Sequence, residues 1–336
     1  MKKTMYQVGM VAIFMMCFVV NMRADDSVGT TAKEPVLYIH DAAIDEFMAT
    51  ILLQNMDNVD LQGIIVVDGD CWAFVAAEVQ WKMDALIQTD VPVGISKAEG
   101  IHPFPSLYRN DCVEMNRLPV LNPKNVMSKW AIHDGEKLIE DVLRNSPVPV
   151  TILLNCGATP IATVLKDYPE LKSKVKQVVW MGGAINPKGG NVVKLDAPDT
   201  LYFCEWNMYW DPSYKENPIF KTVGAQWLLS NTDFPIILFP LDMTDLFPLH
   251  FNPGTWDVNK NAERFTKNLK KNAETHLCSK IAYDSYDISL QRAYKKVDNF
   301  YCLWDTVTTA KNYCYCFHQV LLLQYFCLYL ARSMTT

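Results

Sequence analysis

The sequence has no run that is rich in Lys and Arg, and its formal net charge is -6. Both features argue against a nucleic-acid-binding surface and favour a small neutral or cationic ligand. No internal repeat or low-complexity block divides the 336 residues, of which 50% are hydrophobic and 20% are charged. Such a chain is globular and long enough to bury the core of one large α/β domain or of two small ones.

Zinc-ligand spacing and N-glycosylation motifs are also missing. Cys314 and Cys316 flank a single residue, and no second cysteine pair or histidine cluster stands near them in the sequence, so a zinc site is not indicated. The chain has 10 cysteines, and loss of Cys17 with a signal peptide would leave an odd number. We interpret most of them as buried thiols, with at least one unpaired in an oxidising compartment. No Asn-X-Ser/Thr motif occurs, so secretion would proceed without N-glycosylation.

The N-terminus has the pattern of a secretory signal. Lys2 and Lys3 precede a mostly apolar stretch over 8–20, and Ala24 offers a cleavage site. We therefore predict a signal peptide over 1–24, followed by a polar linker over 25–34. The expected location is outside the cell or in the lumen of the secretory pathway. Met22 is larger than the residue usual at the minus-three position, which leaves an uncleaved membrane anchor open.

Strand-like and helix-like patterns alternate over most of the chain, which predicts an α/β fold. The expected architecture is a Rossmann-like, open and mainly parallel (mixed) sheet with helices on both faces. The runs 148–154 and 178–181 are apolar on both faces, as the central strands of such a sheet require. Strands are predicted near 36–39, 61–67, 91–95, 148–155, 176–183 and 235–241, and helices over 44–56, 73–88, 136–145 and 159–174.

Polar residues and glycines follow several predicted strands, at the end where α/β enzymes bind ligands. An aspartate at a strand end is also a common turn residue, and for Asp68-Gly69-Asp70 alone a turn is the better explanation. The sequence therefore indicates at which edge of the sheet a ligand binds, but these residues do not identify the reaction. The positions at this edge are Asp41, Asp68 to Asp70, Asn155 to Gly157 and Gly182-Gly183.

Three carboxylates follow the first predicted strand closely. Asp41 comes directly after the strand, and Asp45 and Glu46 open the next predicted helix. Carboxylates that crowd one strand end repel one another, and a hard divalent cation such as Ca²⁺ or Mg²⁺ keeps them ionised. Acids are also favoured at a helix N-terminus, because they satisfy free amides and the helix dipole. This segment alone leaves both interpretations open.

Several short motifs, taken in order along the chain, make a more specific pattern. They are the acidic run Asp41 to Glu46, Asp68-Gly69-Asp70, Met181-Gly182-Gly183, Glu205-Trp206-Asn207 before Asp211-Pro212, and Trp304-Asp305. With this combination, the sequence from about Pro35 to Ala310 resembles the nucleoside hydrolases, and within that family the purine-specific inosine-adenosine-guanosine type. The resemblance implies one nucleoside hydrolase domain, which we place at 35–312.

The resemblance also implies one bound Ca²⁺ and a metal-bound water that displaces the base from the ribose. Asp41 would be both a metal ligand and the general base that takes the proton of this water. Glu46, Asp305 and the main-chain carbonyl of Asn155 would be the other protein ligands. The implied activity is calcium-dependent hydrolysis of the N-glycosidic bond of purine ribonucleosides to free base and ribose, a step of nucleoside catabolism and purine salvage.

The ribose contacts are implied in the same way. Asp45 and Asn207 would hold the 2′- and 3′-hydroxyls, and Asn191 with Glu205 would bind the sugar near its 5′-hydroxyl. Glycosidic cleavage passes through an oxocarbenium-like state, and carboxylates around the ring favour its positive charge. These contacts should therefore contribute more to rate than to substrate affinity.

Aromatic residues would bind the base. By the resemblance, Trp304 and Tyr108 would stack on its two sides, and Asp70 matches the purine type of the family. Stacking favours the larger ring of a purine over a pyrimidine, so a small-molecule purine nucleoside is the expected substrate. The competing interpretation makes Trp304 a core residue and Tyr108 a surface residue.

Some positions depart from the family pattern. Glu46 stands where the family usually has Asp, and Ala43 replaces an Asn or Gly. The resemblance stops after Ala310, and 313–336 is a divergent C-terminal segment with no Asp, Glu, Lys or Arg before Arg332. These departures motivate an alternative function, a catalytically impaired protein that binds calcium and a nucleoside.

A further alternative is a metal-dependent phosphohydrolase built on the same acids. It would need a phosphate-binding loop, and the nearest candidate is Lys188-Gly189-Gly190. Membrane association through the N- or C-terminal apolar segment is a minority interpretation. The sequence does not distinguish a monomer from a homo-oligomer.

Overall fold

Seven parallel strands form one sheet in the computed structural model, which describes residues 32–104, 106, 108–124, 131–184, 205–252, 254–297 and 301–313. The strands are β1 (Glu34–His40), β2 (Val59–Val66), β3 (Val93–Ile95), β4 (His133–Asp134), β5 (Val150–Asn155), β6 (Val175–Met181) and β7 (Ile236–Phe239). Their order across the sheet is β4-β3-β2-β1-β5-β6-β7. This arrangement confirms the predicted α/β fold, with β1 at the centre.

The strands pair in parallel throughout the sheet. Antiparallel pairing among the described residues is limited to two isolated bridges, Pro248 with Cys302 and Phe251 with Val258. The sequence patterns located six of the seven strands. They missed β4, because a strand of two exposed residues has no hydrophobic pattern.

Helices cover both faces of this sheet. The described α-helices are α1 (Ile44–Gln54), α2 (Ala73–Ile87), α3 (Asp111–Asn116), α4 (Gly135–Asn145), α5 (Thr159–Asp167), α6 (Trp206–Trp210), α7 (Ala225–Ser230), α8 (Leu241–Thr244), α9 (Lys260–Asn272), α10 (Leu277–Tyr294) and α11 (Trp304–Tyr313). The core on one face of the sheet contains apolar residues of α1, α2, α10 and α11, and the core on the other face contains those of α4 and α5.

The central strand β1 shows why the chain folds this way. Val36 and Tyr38 belong to the core on one face of the sheet, and Leu37 and Ile39 to the core on the other. Side chains of a strand alternate between faces, so a strand that is apolar throughout must be covered on both sides. The carboxyl ends of β1, β2 and β5 are level, because His40 pairs with both Val66 and Asn155.

The predicted terminal segments lie outside the described residues. This applies to the signal peptide over 1–24, to nearly all of the linker over 25–34, and to the C-terminal segment after Tyr313. Within the described part of the chain, no helix has both the length and the apolar composition that a membrane crossing needs.

A buried acid in α2 makes the stability of the fold depend on pH. Asp84 accepts hydrogen bonds from Gln54 Nε2 (2.5 Å) and Gln80 Nε2 (2.9 Å), and burial raises its pKa from 3.8 to about 7. The folded state therefore favours the neutral carboxyl. Ionisation of Asp84 should lower the free energy of unfolding as pH rises from about 4 to about 7, by up to about 4 kcal/mol.

Asp84→Asn should remove this dependence, because the amide keeps an acceptor but cannot ionise. The free energy of unfolding is measured in urea at pH 5 and at pH 8. We expect the variant to be more stable relative to the wild type at pH 8 than at pH 5. Asp167→Asn, at an exposed position, is the matched control and should show no such gain. An equal free-energy difference at both pH values would mean that Asp84 ionises freely in the folded protein.

Candidate active site

The acids predicted to hold a metal meet at the carboxyl edge of the sheet. Asp45 and Glu46 lie in the first turn of α1, and Asp305 lies in the first turn of α11. One carboxylate oxygen of each lies within 4.8 Å of the other two, and all three residues are buried. Among the described residues, no Lys or Arg forms a salt bridge with them. Within the described ranges, no cationic side chain therefore pairs with these acids.

Asp45 joins the two helices that supply these acids. Its Oδ1 accepts a hydrogen bond from the Tyr301 hydroxyl (2.7 Å), and its Oδ2 accepts one from the main-chain N–H of Asp305 (2.8 Å). The Thr306 hydroxyl donates to the main-chain carbonyl of Asp45 at 2.9 Å. These bonds fix the position of Asp305 relative to α1, and they make Asp45 a structural acceptor as well as a candidate ribose ligand.

Four buried oxygens at this edge have no hydrogen-bond donor among the described residues. They are Asp41 Oδ2, Glu46 Oε2, Asn155 Oδ1 and Asp305 Oδ1. A buried acceptor without a partner is costly, and several at one place suggest a missing ion. Carboxylate and amide oxygens are the ligands that Ca²⁺ and Mg²⁺ take. The residues present therefore fit a hard divalent cation.

The side-chain oxygen of Asn155 also lies at this edge, whereas the prediction concerned only the main-chain carbonyl of this residue. Its Nδ2 donates to the Tyr38 hydroxyl (3.2 Å) and to the main-chain carbonyl of Asp305 (3.3 Å). These two bonds use the N–H groups of the amide and leave its Oδ1 as an acceptor. The side chain is thus a second candidate donor to the cation beside the predicted carbonyl.

Burial raises the pKa of every acid in this group. It brings the pKa of Asp41 from 3.8 to about 6, and it holds those of Glu46 and Asp305 well above their usual range, with a further rise from neighbouring carboxyls. Asp41 and Glu46 also act on each other, because Asp41 raises the pKa of Glu46 further and Glu46 lowers that of Asp41. A bound cation would favour the ionised forms and so oppose these shifts.

Asp41 is held by the chain around it. Its main-chain carbonyl accepts a hydrogen bond from the N–H of Cys71 at 3.0 Å. The next residue, Ala42, has a φ of 71°, in the left-handed region that costs a residue with a Cβ free energy. Gly69 lies directly against the carboxylate, because a Cβ at position 69 would be 2.2 Å from Asp41 Oδ2.

The predicted substrate residues that the structure describes line one cleft with the acids. Asp70, Tyr108, Asn207 and Trp304 all face it, and Trp304 Nε1 donates to Asp245 Oδ1 at 2.7 Å. Asn191 and Lys188-Gly189-Gly190 lie outside the described residues. The sequence analysis assigned no site role to the other lining side chains, although Met181 and Trp206 belong to its motifs. These side chains are Phe104, Met181, Trp206, Leu241 and Tyr301.

Tyr301 is the most informative of the residues that were missed. Its ring centroid lies 5.2 Å from that of Trp304 and 6.3 Å from that of Tyr108, so it contacts both rings that were predicted to stack on a base. Its hydroxyl also binds Asp45 at 2.7 Å. An aromatic residue three positions before Trp304 was the available signal in the sequence.

Glu205 has a structural role that sequence reasoning did not anticipate. Its Oε1 accepts from the N–H of Asn207 (2.7 Å), and its Oε2 accepts from those of Gly183 (3.0 Å) and Met208 (3.2 Å). It therefore caps α6, while burial raises its pKa to about 7. Asn207 Nδ2 in turn donates to the Met181 carbonyl at 3.0 Å. The sugar contacts of both residues stay predictions.

Several curated relatives by sequence are ribonucleoside hydrolases. The pyrimidine-specific ribonucleoside hydrolase RihA of Escherichia coli O1:K1 / APEC is 26% identical over 227 residues, which are 64% of this chain and 63% of the relative. The RihA of Citrobacter koseri is 30% identical over 114 residues, which are 34% of this chain and 30% of the relative. The matched regions thus span less than two thirds of either relative.

Solved structures and a family model extend the likeness to most of the chain. The inosine-uridine preferring nucleoside hydrolase of Bacillus anthracis has a TM-score of 0.63 at 24% identity, over 84% of this chain and 82% of that one. The purine-preferring ribonucleoside hydrolase of Gardnerella vaginalis has a TM-score of 0.60 at 17% identity, over 84% and 80%. Both likenesses show the fold. Because residues 36–314 match the model described as inosine-uridine preferring nucleoside hydrolase, the chain belongs to that family.

Proposed function

We propose that this protein hydrolyses the N-glycosidic bond of purine ribonucleosides, with a divalent cation, Ca²⁺ by preference, bound at the acidic cluster. The observation that carries the proposal is the convergence of Asp45, Glu46 and Asp305 within 4.8 Å of one another. Unpartnered oxygens of Asp41 and Asn155 add to it. A site of this composition suits a cation, and family membership supports the reaction class.

Different side chains would have different roles in such a reaction. A cation held by Asp41, Glu46, Asn155 and Asp305 would lower the pKa of a water molecule that it binds. Asp41 would take the proton from the attacking water as general base, because the cation would keep its carboxylate ionised. Asp45 would bind ribose hydroxyls, and its charge would favour the positive sugar in the transition state.

The purine preference rests on the aromatic side of the cleft. Trp304 and Tyr301 present adjacent rings, and a base–aromatic stack contributes about 1–3 kcal/mol. The free volume in the cleft is about 30 Å³, which is enough for an ion or a water molecule. The RihA relatives are pyrimidine-specific, so the base preference needs a direct test.

Trp304→Ala should lower kcat/KM for inosine by roughly 5–150-fold, the value of one lost stack, and lower it less for uridine. Steady-state kinetics on both nucleosides measure the difference. Trp304→Phe keeps a ring and should retain most of the inosine activity. Trp256→Ala, at a half-exposed position outside the cleft, is the matched control. Equal losses on inosine and uridine would show that Trp304 does not set base preference.

A second candidate function is binding of a cation and a nucleoside without turnover. The observation that favours it is the electrostatic coupling of Glu46 to Asp41, since each buried carboxyl shifts the pKa of the other. Glu46 is one methylene longer than the usual Asp. If the two carboxyls share a proton with the cation bound, Asp41 is a weaker base toward water.

One experiment separates the two candidates. The purified 25–336 chain is incubated with inosine or uridine, with Ca²⁺ or with a chelator, and reducing sugar is measured. Calcium-dependent release from inosine, with little from uridine, supports the purine hydrolase. A folded protein that Ca²⁺ stabilises against heat but that releases no sugar supports the binding protein. Release that is insensitive to the chelator contradicts the metal site.

A further inference from the structure

Two segments beside the cleft are joined by a cluster of contacts. The first, 68–72, connects β2 to α2, and the second, 108–112, leads into α3. Arg109 of the second segment forms a salt bridge with Asp68 of the first, with Nη2 2.7 Å from Oδ1. Its guanidinium also lies 4.0 Å from the ring centroid of Trp72, and its Nη1 donates to the Gly69 carbonyl. The two segments are therefore held at a fixed distance.

Two cysteines face each other inside this junction. Cys71 Sγ accepts a hydrogen bond from the main-chain N–H of Cys112 at 3.2 Å and donates to the Tyr108 carbonyl at 3.4 Å. Cys112 Sγ in turn lies 3.8 Å from the main-chain carbonyl oxygen of Trp72, the residue after Cys71. Both cysteines are fully buried. The surrounding contacts thus keep the two cysteines adjacent although they are 41 positions apart in the sequence.

We propose that Cys71 and Cys112 form an oxidative cross-linking site, at which a disulfide joins the 68–72 segment to the 108–112 segment. A disulfide needs two cysteines whose Sγ atoms reach about 2.05 Å with little backbone movement, and the main-chain N of Cys112 already lies 3.2 Å from Cys71 Sγ. The junction also carries Asp70 and Tyr108, both of which line the cleft. The predicted secretory signal would place this pair in an oxidising compartment, where disulfides persist.

The chemistry requires an oxidant, and a small-molecule disulfide supplies it. Oxidation breaks the two S–H bonds of Cys71 and Cys112 and forms one S–S bond. The disulfide of the oxidant accepts the two electrons, breaks, and leaves as two thiols that carry the two protons. The neighbouring Cys71 lowers the pKa of the Cys112 thiol, whereas burial raises that of Cys71, so Cys112 is the more reactive partner. Because both sulfurs are buried, exchange occurs during folding or local opening.

The test maps cross-links in the wild-type chain. The 25–336 protein is refolded in a glutathione redox buffer containing oxidised glutathione, and a native sample is incubated with the same reagent. Free thiols are alkylated, and peptides are identified by mass spectrometry with and without reduction. We expect a peptide pair that links Cys71 to Cys112 and separates on reduction. The oxidised protein should have a Tm about 5 °C higher than the reduced protein.

Variants make the assignment specific. Cys112→Ser should abolish both the cross-link and the rise in Tm, and Cys278→Ser, at a buried thiol elsewhere in the fold, should preserve both. The wild-type map decides the question even if Cys112→Ser does not fold. Alkylation of Cys71 and Cys112 as separate thiols, a stable glutathione adduct on either, or a cross-link to another cysteine would each overturn the proposal. None of these readouts depends on nucleoside hydrolysis.

Discussion

Asp41→Asn is expected to lower kcat for inosine hydrolysis by roughly 10²–10⁴-fold, the usual contribution of a general base. The substitution preserves the shape of the side chain but removes its charge and its capacity to accept a proton. It also removes one negative donor from the proposed cation site, whose other acids are Glu46 and Asp305. The stabilisation by Ca²⁺ in a thermal-shift titration should therefore fall together with kcat.

The matched control for this variant is Asp167→Asn, which makes the same chemical change at an exposed position. It should leave kcat, KM and the calcium titration unchanged. If Asp41→Asn retained wild-type kcat, Asp41 would not be the base. If it lost activity but kept the full response to Ca²⁺, Asp41 would act on the water without being a principal ligand.

Gly69→Ala should cause the second-largest loss of activity on inosine, although residue 69 carries no reactive group. The added Cβ would lie 2.2 Å from Asp41 Oδ2, 2.7 Å from Asp41 Cβ and 2.8 Å from Asp41 Cγ. Real atoms cannot approach so closely, so either the carboxylate or the 68–72 segment must move. A displacement of about 1 Å at a catalytic group can cost about 10²-fold in rate. We therefore expect kcat/KM for inosine to fall by about that factor.

Crowding should also cost about 1–3 kcal/mol of folding free energy, which urea unfolding measures. Gly254→Ala is the contrasting control. Gly254 has a φ of 74° and no atom within 4 Å of an added Cβ. Its replacement should strain the backbone and lower stability by about 1 kcal/mol without changing kcat. Unchanged kinetics in Gly69→Ala would mean that the Asp41 carboxylate is not fixed where the structure has it.

Much of this fold was predictable, because its sheet is buried on both faces. A run such as 148–154 is apolar on consecutive residues, and only a strand covered on both sides tolerates that pattern. Once the strands are assigned, their carboxyl ends bring Asp41 and Asn155 to one edge without further information. Family resemblance then added Asp305, which no local pattern connects to the acids of α1.

Other parts of the site depend on contacts between residues far apart in sequence. The hydrogen bond from Tyr301 to Asp45 joins residues 256 positions apart, and no local pattern encodes it. Glu205 carries a carboxylate of the kind that binds sugars, but this carboxylate accepts hydrogen bonds from three main-chain N–H groups. Only the fold shows that these amides converge on it. Cys71 and Cys112 are likewise unremarkable in sequence and adjacent in space.

The bonds from Tyr301, Asp305 and Thr306 to Asp45 have a consequence for the timing of folding. Translation proceeds at roughly 5–20 residues per second, so the ribosome needs on the order of 10–50 s to reach α11 after it has made α1. During that interval Asp41 and Glu46 exist without Asp305, and the proposed cation site is incomplete. A cation that requires all three carboxylates can therefore bind only near the end of folding, and it reports the completed fold rather than nucleating it.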